Sequence, residues 1–251
     1  MTRPTANATA IIPARIGSAR FPEKVLASDT GRPLIRHVCE ATTEAASIDR
    51  VIVATDDDRV RQAVTAFGGE VVMTRSDHPN GTSRLAEAAA TLDLPHDAIV
   101  VNVQGDEPEM RSEVIDACVS ALLESGMPMA TCATAASAQD AANPNVVKVV
   151  VARDGRALYF SRASIPHPGR AIAHALRHIG IYAYRRSFLD EYVALPATPL
   201  EQAERLEQLR VLEHGLRIAV AVCNSDQIRP GIDTPEQYRE FVARWRRDHP
   251  A

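Results

Sequence analysis

Short apolar runs rich in β-branched residues alternate with amphipathic segments through the first half of the chain. The runs predict the strands Ala10–Arg15, Arg50–Thr55, Glu70–Thr74 and Ala98–Gly105. The amphipathic segments repeat apolar residues every three to four positions and predict the helices Leu34–Ala46, Asp57–Phe67, Thr82–Leu92 and Arg111–Ser125. Asp57 and Thr82 are placed as N-caps. Alternation of strand and helix implies right-handed βαβ crossovers, so we expect a mainly parallel sheet.

The second half has a different pattern, with apolar runs that follow one another across turns rather than helices. These runs predict the strands Met129–Ala135, Val146–Ala152, Ala157–Ser161 and His178–Arg185. An amphipathic helix at Glu201–Gly215, a strand at Arg217–Val222 and a final helix at Thr234–Arg247 follow. The whole pattern predicts an α/β fold whose sheet becomes mixed in its second part.

Composition narrows the class of protein. A chain of 251 residues, 45% hydrophobic and 24% charged, suits a single globular domain. Residues 1–10 lack the apolar core of a signal peptide and no apolar run reaches bilayer length, so we expect a cytoplasmic protein with no membrane partner. A net charge of −4 argues against a general nucleic-acid binder.

The cysteines do not form a recognisable metal or redox motif. They are widely separated, at Cys39, Cys118, Cys132 and Cys223. Such spacing predicts reduced thiols rather than disulfides or zinc ligands.

The segment 12–24 leaves the first predicted strand as a loop of small residues and cations. Its residues 17–19 let backbone N–H groups approach an anion, and Arg15, Arg20 and Lys24 can neutralise a triphosphate. It is not a P-loop, because the GxxxxGK[ST] spacing is absent. We favour function for Arg15 and Lys24, whereas Arg20 is equally well explained as a solvated surface charge.

Two carboxylates follow predicted element ends. Asp106, within 102–108, is placed to hold a hard divalent cation against substrate phosphates. Asp233, within 231–235, precedes the last predicted helix. Each could instead be an ordinary capping residue, but together they favour a metal site.

The segment 73–84 runs from a predicted strand through a glycine turn into a helix. It offers hydrogen-bonding groups for a base or a ribose, although His78 within it could simply cap or pack. The aspartates of 53–57 end the second predicted strand and favour capping over catalysis.

Polar residues also interrupt apolar elements later in the chain, at 157–162, 177–182 and 207–210. Because a buried polar group needs a partner, a hydroxyl-rich ligand or mutual hydrogen bonding would explain them. Arg162 and His178 suit a sugar carboxylate, and the polar residues near 207 suit its hydroxyls.

In consecutive order from about Ala10 to Tyr238, the chain contains PARIGSARFPEK, VATDD, MTRSDHPNGTSRLAE, VNVQGDEP, NPNVVKVV, ALYFSRASIP, RHIGIYAYR, LEQLRVLEHG and GIDTPE. This series resembles the 3-deoxy-manno-octulosonate cytidylyltransferases, the CMP-Kdo synthetases of Gram-negative lipopolysaccharide biosynthesis. No single segment is specific, but the ordered series is.

The resemblance implies a three-layer, Rossmann-like nucleotidyltransferase fold over 1–251, with a smaller sugar-binding and dimerisation portion near 129–200. It also implies a homodimer that uses Mg²⁺ to join CTP and 3-deoxy-D-manno-octulosonate (Kdo), releasing pyrophosphate. The implied nucleotide-binding residues are Arg15, Ser18, Lys24, Arg75, Gly81, Ser83 and Gln104. The implied sugar-binding residues are Arg162, His178, Tyr182, Glu207 and Gln208. Asp106 and Asp233 are the implied metal ligands, and both count as catalytic with Arg15 and Lys24.

Other functions are compatible with the same residues. The acceptor could be an amino-Kdo or a nine-carbon sialic-type acid. A nucleotide-sugar glycosyltransferase could share the nucleotide fold, and a non-catalytic nucleotide-binding protein would bind CTP without turnover.

Overall fold

The computed structural model describes residues 7–17, 20–167, 175–224, 229 and 231–250. The strands are β1 (Ala8–Ala14), β2 (Ile48–Thr55), β3 (Glu70–Met73), β4 (Ile99–Asn102), β5 (Met129–Ala135), β6 (Lys148–Val151), β7 (Ala157–Ser161), β8 (Leu176–Arg185) and β9 (Ile218–Val222). The helices are α1 (Leu34–Thr43), α2 (Asp58–Ala66), α3 (Gly81–Thr91), α4 (Ser112–Ser125), α5 (Ala138–Ala142), α6 (Arg186–Ala194), α7 (Pro199–Glu204), α8 (Gln208–Glu213) and α9 (Pro235–Asp248). Every predicted strand overlaps an observed one.

The chain divides into two compact units. Unit 1 comprises Met1–Leu94, Asn102–Ser112 and Gln227–Ala251, and unit 2 comprises Pro95–Val101 and Glu113–Asp226. The predicted single domain at 1–251, with a portion near 129–200 for sugar binding, stays a prediction.

Unit 1 is built on a parallel sheet in the order β3-β2-β1. These strands bury mainly β-branched and alanine residues, such as Ile11 opposite Ile52 and Ala54 opposite Val72. Asp57 caps α2 by accepting a hydrogen bond from the backbone N–H of Arg59, as predicted. Because these strands are parallel, their carboxyl ends share one edge, and the loops that leave this edge carry the candidate chemistry.

Unit 2 contains a mixed sheet, which confirms the predicted change of pattern. Strand β5 pairs antiparallel with β8 and parallel with β9, and β6 pairs antiparallel with both β7 and β8. The polar positions on β8 therefore lie within a sheet, between neighbouring strands, rather than in loops. This placement ties their side chains to rigid backbone.

The helices of the second half differ from the prediction at three places. The predicted helix Glu201–Gly215 is two helices, α7 and α8, because Arg205 between them takes a left-handed backbone conformation with φ 54°. Helix α6 was not predicted, and the short α5 interrupts strands that we expected to be joined by turns alone.

The predicted N-cap Thr82 of the first half is also wrong: α3 begins at Gly81, and the side chain of Asn80 accepts the capping hydrogen bond from the backbone N–H of Ser83.

The cysteines are free thiols, of which Cys118 and Cys132 are buried and Cys39 and Cys223 half-buried. Within the described part of the chain, no helix combines the length and apolar character needed to span a membrane.

Candidate active site

Three segments of unit 1 meet at the side chain of Lys24. Its ammonium group donates hydrogen bonds to Asp106 Oδ2 at 2.5 Å and to the carbonyl oxygen of Ile232 at 2.9 Å. It also lies 3.3 Å from Asp233 Oδ1. The structure thus brings the two predicted metal carboxylates to one nitrogen atom, although 127 positions of sequence separate them.

Close backbone approach explains why these segments meet. A Cβ atom at Gly105 would lie 2.8 Å from the carbonyl oxygen of Pro13, so only glycine lets the Asp106 segment pack against the end of β1. The backbone N–H of Ile232 donates to the carbonyl oxygen of Asp106 at 2.8 Å. Gly105 and a backbone hydrogen bond therefore set the position of Asp106.

The start of α9 sets the position of Asp233. Thr234 is the N-cap of this helix and forms a capping box with Gln237. The side-chain oxygen of Gln237 accepts hydrogen bonds from the backbone N–H groups of Asp233 at 2.7 Å and Thr234 at 3.0 Å. The Asp233 backbone is thus held by a side chain one turn along the helix.

Charges in this cluster are closely balanced. Arg20 forms an ion pair with Asp233 Oδ2 at 2.9 Å, so this arginine has a partner in the cluster although its side chain is 64% exposed. Desolvation, with smaller contributions from Asp106 and Asp233, raises the pKa of Glu107 to about 8. Near neutral pH the Glu107 carboxyl is therefore mostly protonated, and the cluster has two carboxylates against two cations. Sequence reasoning missed Glu107, whose adjacency to Asp106 was the available signal.

The paired carboxylates fit a divalent cation. The Lys24 ammonium already occupies a position between Asp106 and Asp233, which shows that the two side chains can share one cation. Among the described residues, no group of three or more His, Cys, Asp or Glu side chains could hold a metal ion. Mg²⁺ is commonly bound by one or two carboxylates, with water and substrate phosphates completing its shell, so this donor set suits it.

The other residues predicted to bind the nucleotide differ in the contacts that their side chains make. Arg15 is exposed and forms no hydrogen bond or ion pair with other described residues, which leaves it available to a ligand. Among the described residues, the side-chain amide of Gln104 has a single long contact, 3.4 Å, with Asn102. Arg75 is exposed and lies 3.6 Å from Glu87. Ser18 lies outside the described residues.

Gly81 and Ser83 lie in the first turn of α3, next to a buried histidine. The Ser83 hydroxyl donates to the carbonyl oxygen of Asn80 at 3.0 Å and lies 3.1 Å from His78 Nδ1. His78 Nε2 forms a short hydrogen bond with Glu87, and only 4% of its side chain is exposed. His78 therefore packs against α3, and Glu87, four positions after Ser83, is a supporting residue that helical spacing could have indicated.

In unit 2, the hydrogen-bond partners of His178 define its protonation. Thr131 Oγ1 lies 2.7 Å from the carbonyl oxygen of Ile181, to which its single proton must be donated. His178 Nε2, 2.9 Å from the same hydroxyl, is then the donor and carries a proton. Desolvation lowers the pKa of His178 to about 3, so the ring is neutral and Nδ1 is an acceptor. His178 therefore suits a ligand hydroxyl rather than the carboxylate that sequence reasoning assigned to it.

The other sugar-binding predictions surround the same strand or follow it. The Tyr182 ring centroid lies 5.4 Å from that of His178, and burial raises the pKa of the Tyr182 phenol, which stays protonated. Gln208 is 3% exposed at the start of α8, and Glu207 immediately precedes it. Arg162, at the end of β7, is anchored by Glu204. All five residues lie in unit 2.

Comparison with known proteins identifies the family. A family model described as "Cytidylyltransferase" matches residues 9–218. A 3-deoxy-manno-octulosonate cytidylyltransferase of Syntrophobacter fumaroxidans is 53% identical over 92% of this chain and 94% of its own. The protein of the same name from Syntrophotalea carbinolica is 50% identical over 91% and 94%.

A solved structure agrees with these sequence relatives. The structure of CMP:2-keto-3-deoxy-manno-octonic acid synthetase complexed with CTP has a TM-score of 0.90 and 44% identity, covering 97% of this chain and 100% of that one. This likeness confirms the predicted nucleotidyltransferase fold. The chain therefore belongs to the cytidylyltransferase family, among the 3-deoxy-manno-octulosonate cytidylyltransferases.

Proposed function

We propose that this chain transfers CMP from CTP to Kdo, giving CMP-Kdo and pyrophosphate. The observation that carries the proposal is the convergence of Asp106 and Asp233 on Lys24, in a chain 53% identical to a named Kdo cytidylyltransferase. An amino-Kdo or sialic-type acid is not favoured as the acceptor, because the relatives share the name of the Kdo enzyme.

In this reaction the anomeric hydroxyl of Kdo attacks the α-phosphorus of CTP. A phosphorus–oxygen bond forms to the sugar, the bond to the bridging oxygen of the β-phosphate breaks, and the hydroxyl proton passes to water. Charge spreads over the phosphate oxygens during the transfer, so the protein acts mainly by positioning and by electrostatic stabilisation. Arg15 is free to contact the phosphates, and Lys24 exchanges carboxylate partners for phosphate oxygens when CTP binds.

We also propose that the enzyme requires Mg²⁺, held by Asp106 and Asp233. When bound, Mg²⁺ would supply Lewis-acid stabilisation of the phosphoryl charge. The support is the shared cation position between two carboxylates, of which Asp233 is 42% exposed and thus open to substrate. Titration of the metal-free protein with Mn²⁺, followed by electron paramagnetic resonance, should detect one site that Asp233→Asn weakens.

Two further proposals concern assembly and location. A homodimer is supported by the exposed Leu158 on β7, since β7 pairs only with β6 among the described strands and leaves an open edge. Light scattering should give twice the chain mass.

A cytoplasmic location is supported by the supply of CTP there, and fractionation of cells should recover the protein with cytoplasmic markers.

A pyrophosphate-release assay across four nucleoside triphosphates and several acidic sugars tests the function directly. We expect release only with CTP and Kdo together. Release with CTP and a sialic acid, but not Kdo, would contradict the proposed acceptor. CTP binding without turnover on any sugar would instead indicate a non-catalytic nucleotide-binding protein.

A further inference from the structure

Lys148 is one of only two lysines in the chain, and its side chain is fully buried in unit 2. Its ammonium group donates hydrogen bonds to the carbonyl oxygens of Asn143 at 2.9 Å, Val146 at 2.6 Å and Arg162 at 2.6 Å. These bonds use all its donors, and no carboxylate of the described residues lies within ion-pair distance of it. Burial, followed by the nearby Arg162, lowers the pKa of Lys148.

Burying an ammonium group against neutral carbonyl oxygens costs free energy, and an apolar side chain would fill the same space with a smaller free-energy cost. The cost is understandable if the bonds fix a particular backbone. Lys148 lies opposite Ser161 of β7 and opposite Arg177 of β8, where the two antiparallel pairs of β6 meet. The ammonium group therefore links the 143–146 loop to Arg162, the residue that immediately follows β7.

A second set of bonds fixes the same arginine. The carboxylate of Glu204 accepts hydrogen bonds from the Ser161 hydroxyl at 2.5 Å and from the backbone N–H of Arg162 at 2.9 Å. Arg162 Nε donates to the carbonyl oxygen of Glu204 at 2.8 Å. The backbone of Arg162 and one edge of its guanidinium are thus held from two sides.

The other edge of that guanidinium is left available. Arg162 Nη1 has only a long contact, 3.4 Å, with the carbonyl oxygen of Pro144, and Nη2 makes no hydrogen bond to a described residue. Two cations, Lys148 and Arg162, and one carboxylate, Glu204, make up the charges joined by these bonds. A bound anionic group would balance the remaining positive charge and accept hydrogen bonds from the available edge of the guanidinium.

We propose that Lys148 and Glu204 are positioning residues for the sugar substrate, holding Arg162 so that its free edge receives the sugar carboxylate. We call Lys148, Ser161, Arg162 and Glu204 the Arg162 cluster. A guanidinium that is already fixed loses less conformational entropy when it binds a carboxylate, so the cluster lowers the KM for the acidic sugar. This inference rests on the proposed function and deepens it.

The first test replaces Lys148 with Met, which keeps the length of the side chain and removes its charge and donors. We expect the KM for Kdo to rise about tenfold or more, as expected for losing hydrogen bonds from a charged group. The dissociation constant of CTP, measured by calorimetry without sugar, should stay unchanged, because the nucleotide residues lie in unit 1. Val149→Ala, at the next position and 1% exposed, is the matched control: it should lower Tm without raising the KM for Kdo.

The second test uses Glu204 and does not depend on Lys148→Met folding. Glu204→Gln can accept from the Arg162 N–H and donate to the Ser161 hydroxyl, so we expect the KM for Kdo to stay at or below the native value. Glu204→Ala loses both bonds and should raise it about threefold to tenfold. A role through charge alone predicts a similar change in both variants, and a merely structural role predicts that Tm changes while the KM does not.

The outcomes separate this inference from the proposed function. If the native enzyme turns over Kdo, but Lys148→Met and Glu204→Ala match Val149→Ala in their KM for Kdo, the positioning role is overturned. If native enzyme releases no pyrophosphate with CTP and Kdo, the proposed function fails. If Arg162→Met leaves the KM for Kdo unchanged, Arg162 binds no sugar carboxylate and the inference fails although the function stands.

Discussion

The candidate binding residues of the two units present polar groups in opposite ways. In unit 1, Lys24, Asp106 and Asp233 are ionised groups carried by loops and element ends, and each is paired with an opposite charge. In unit 2, His178 and Tyr182 are desolvated, neutral groups on a strand inside a sheet. The first site is prepared for exchange of charged partners, and the second for hydrogen bonds of fixed direction.

This difference fits what each substrate of the proposed function would need. A triphosphate carries several charges, and an ammonium group on a flexible four-carbon side chain can pass from carboxylate to phosphate oxygens. Sugar hydroxyls are neutral and are distinguished by direction, so donors and acceptors on rigid backbone discriminate better. Under the proposed function the sugar carboxylate needs a fixed cation, and Arg162 of unit 2 would provide it.

The largest expected effect comes from removing a carboxylate of unit 1. Asp106→Asn keeps the shape of the side chain but weakens its hold on any cation, so we expect kcat to fall at least about 100-fold. Pyrophosphate release measures it. Asp154→Asn, on an exposed turn of unit 2, should be unchanged, and a near-native rate in Asp106→Asn would contradict the metal role.

Lys24→Met should lower kcat/KM by about 30- to 1000-fold, or roughly 2–4 kcal/mol, if Lys24 stabilises the phosphate charge. It also leaves Asp106 and Asp233 without their shared cation. We therefore expect added Mg²⁺ to raise the Tm of this variant more than that of the native protein. Arg20→Met, which removes a far more exposed cation, should have the smaller kinetic effect, and equal effects would place Lys24 outside the reaction.

Gly105→Ala tests whether the position of Asp106 matters as well as its charge. The added Cβ would lie 2.8 Å from the carbonyl oxygen of Pro13, so the segment must shift. We expect about 1–3 kcal/mol of destabilisation and about a tenfold loss of kcat. Gly126→Ala, at φ 66° with open space around it, should cost stability without loss of kcat. Equal activity in both variants would show that the segment tolerates displacement.

The smallest expected effect is that of pH on sugar binding. Because the His178 ring is neutral above a pKa of about 3, the KM for Kdo should not follow a His178 titration between pH 6 and 8. A cationic His178 would instead raise this KM as pH increases through 6.5.

Stability gives an independent reading of the same histidine. Between the folded pKa of about 3 and the unfolded value of 6.5, the unfolded chain binds more protons, so the free energy of unfolding falls as pH falls. His178→Gln removes this dependence and should lose less stability between pH 7 and 5, by roughly 1–2 kcal/mol. The pKa of His37 is also lowered, to about 4 and mainly by burial. His37 therefore lowers the free energy of unfolding as pH falls in both the native protein and the His178→Gln variant.

Sequence predicted the strands and the parallel first half, because β-branched runs and helical periodicity are local properties. It also predicted that Asp106 and Asp233 would meet, since both were placed next to element ends at the ligand edge. It could not predict that Lys24 lies between them, because that depends on loop conformation. Desolvation of His178 and of Glu107 depends on tertiary packing, so their protonation was likewise beyond sequence.

The break between α7 and α8 shows how one residue with a left-handed backbone conformation gives neighbouring side chains different contacts. In an unbroken helix, Glu204 and Gln208 would lie one turn apart on a single face and serve the same neighbour. The left-handed Arg205 turns the chain, so that Glu204 supports Arg162 while Gln208 begins a separate helix and is buried there. Glycine adopts this conformation without strain, so Arg205→Gly should preserve the geometry, whereas a β-branched residue would resist the bend and upset both assignments.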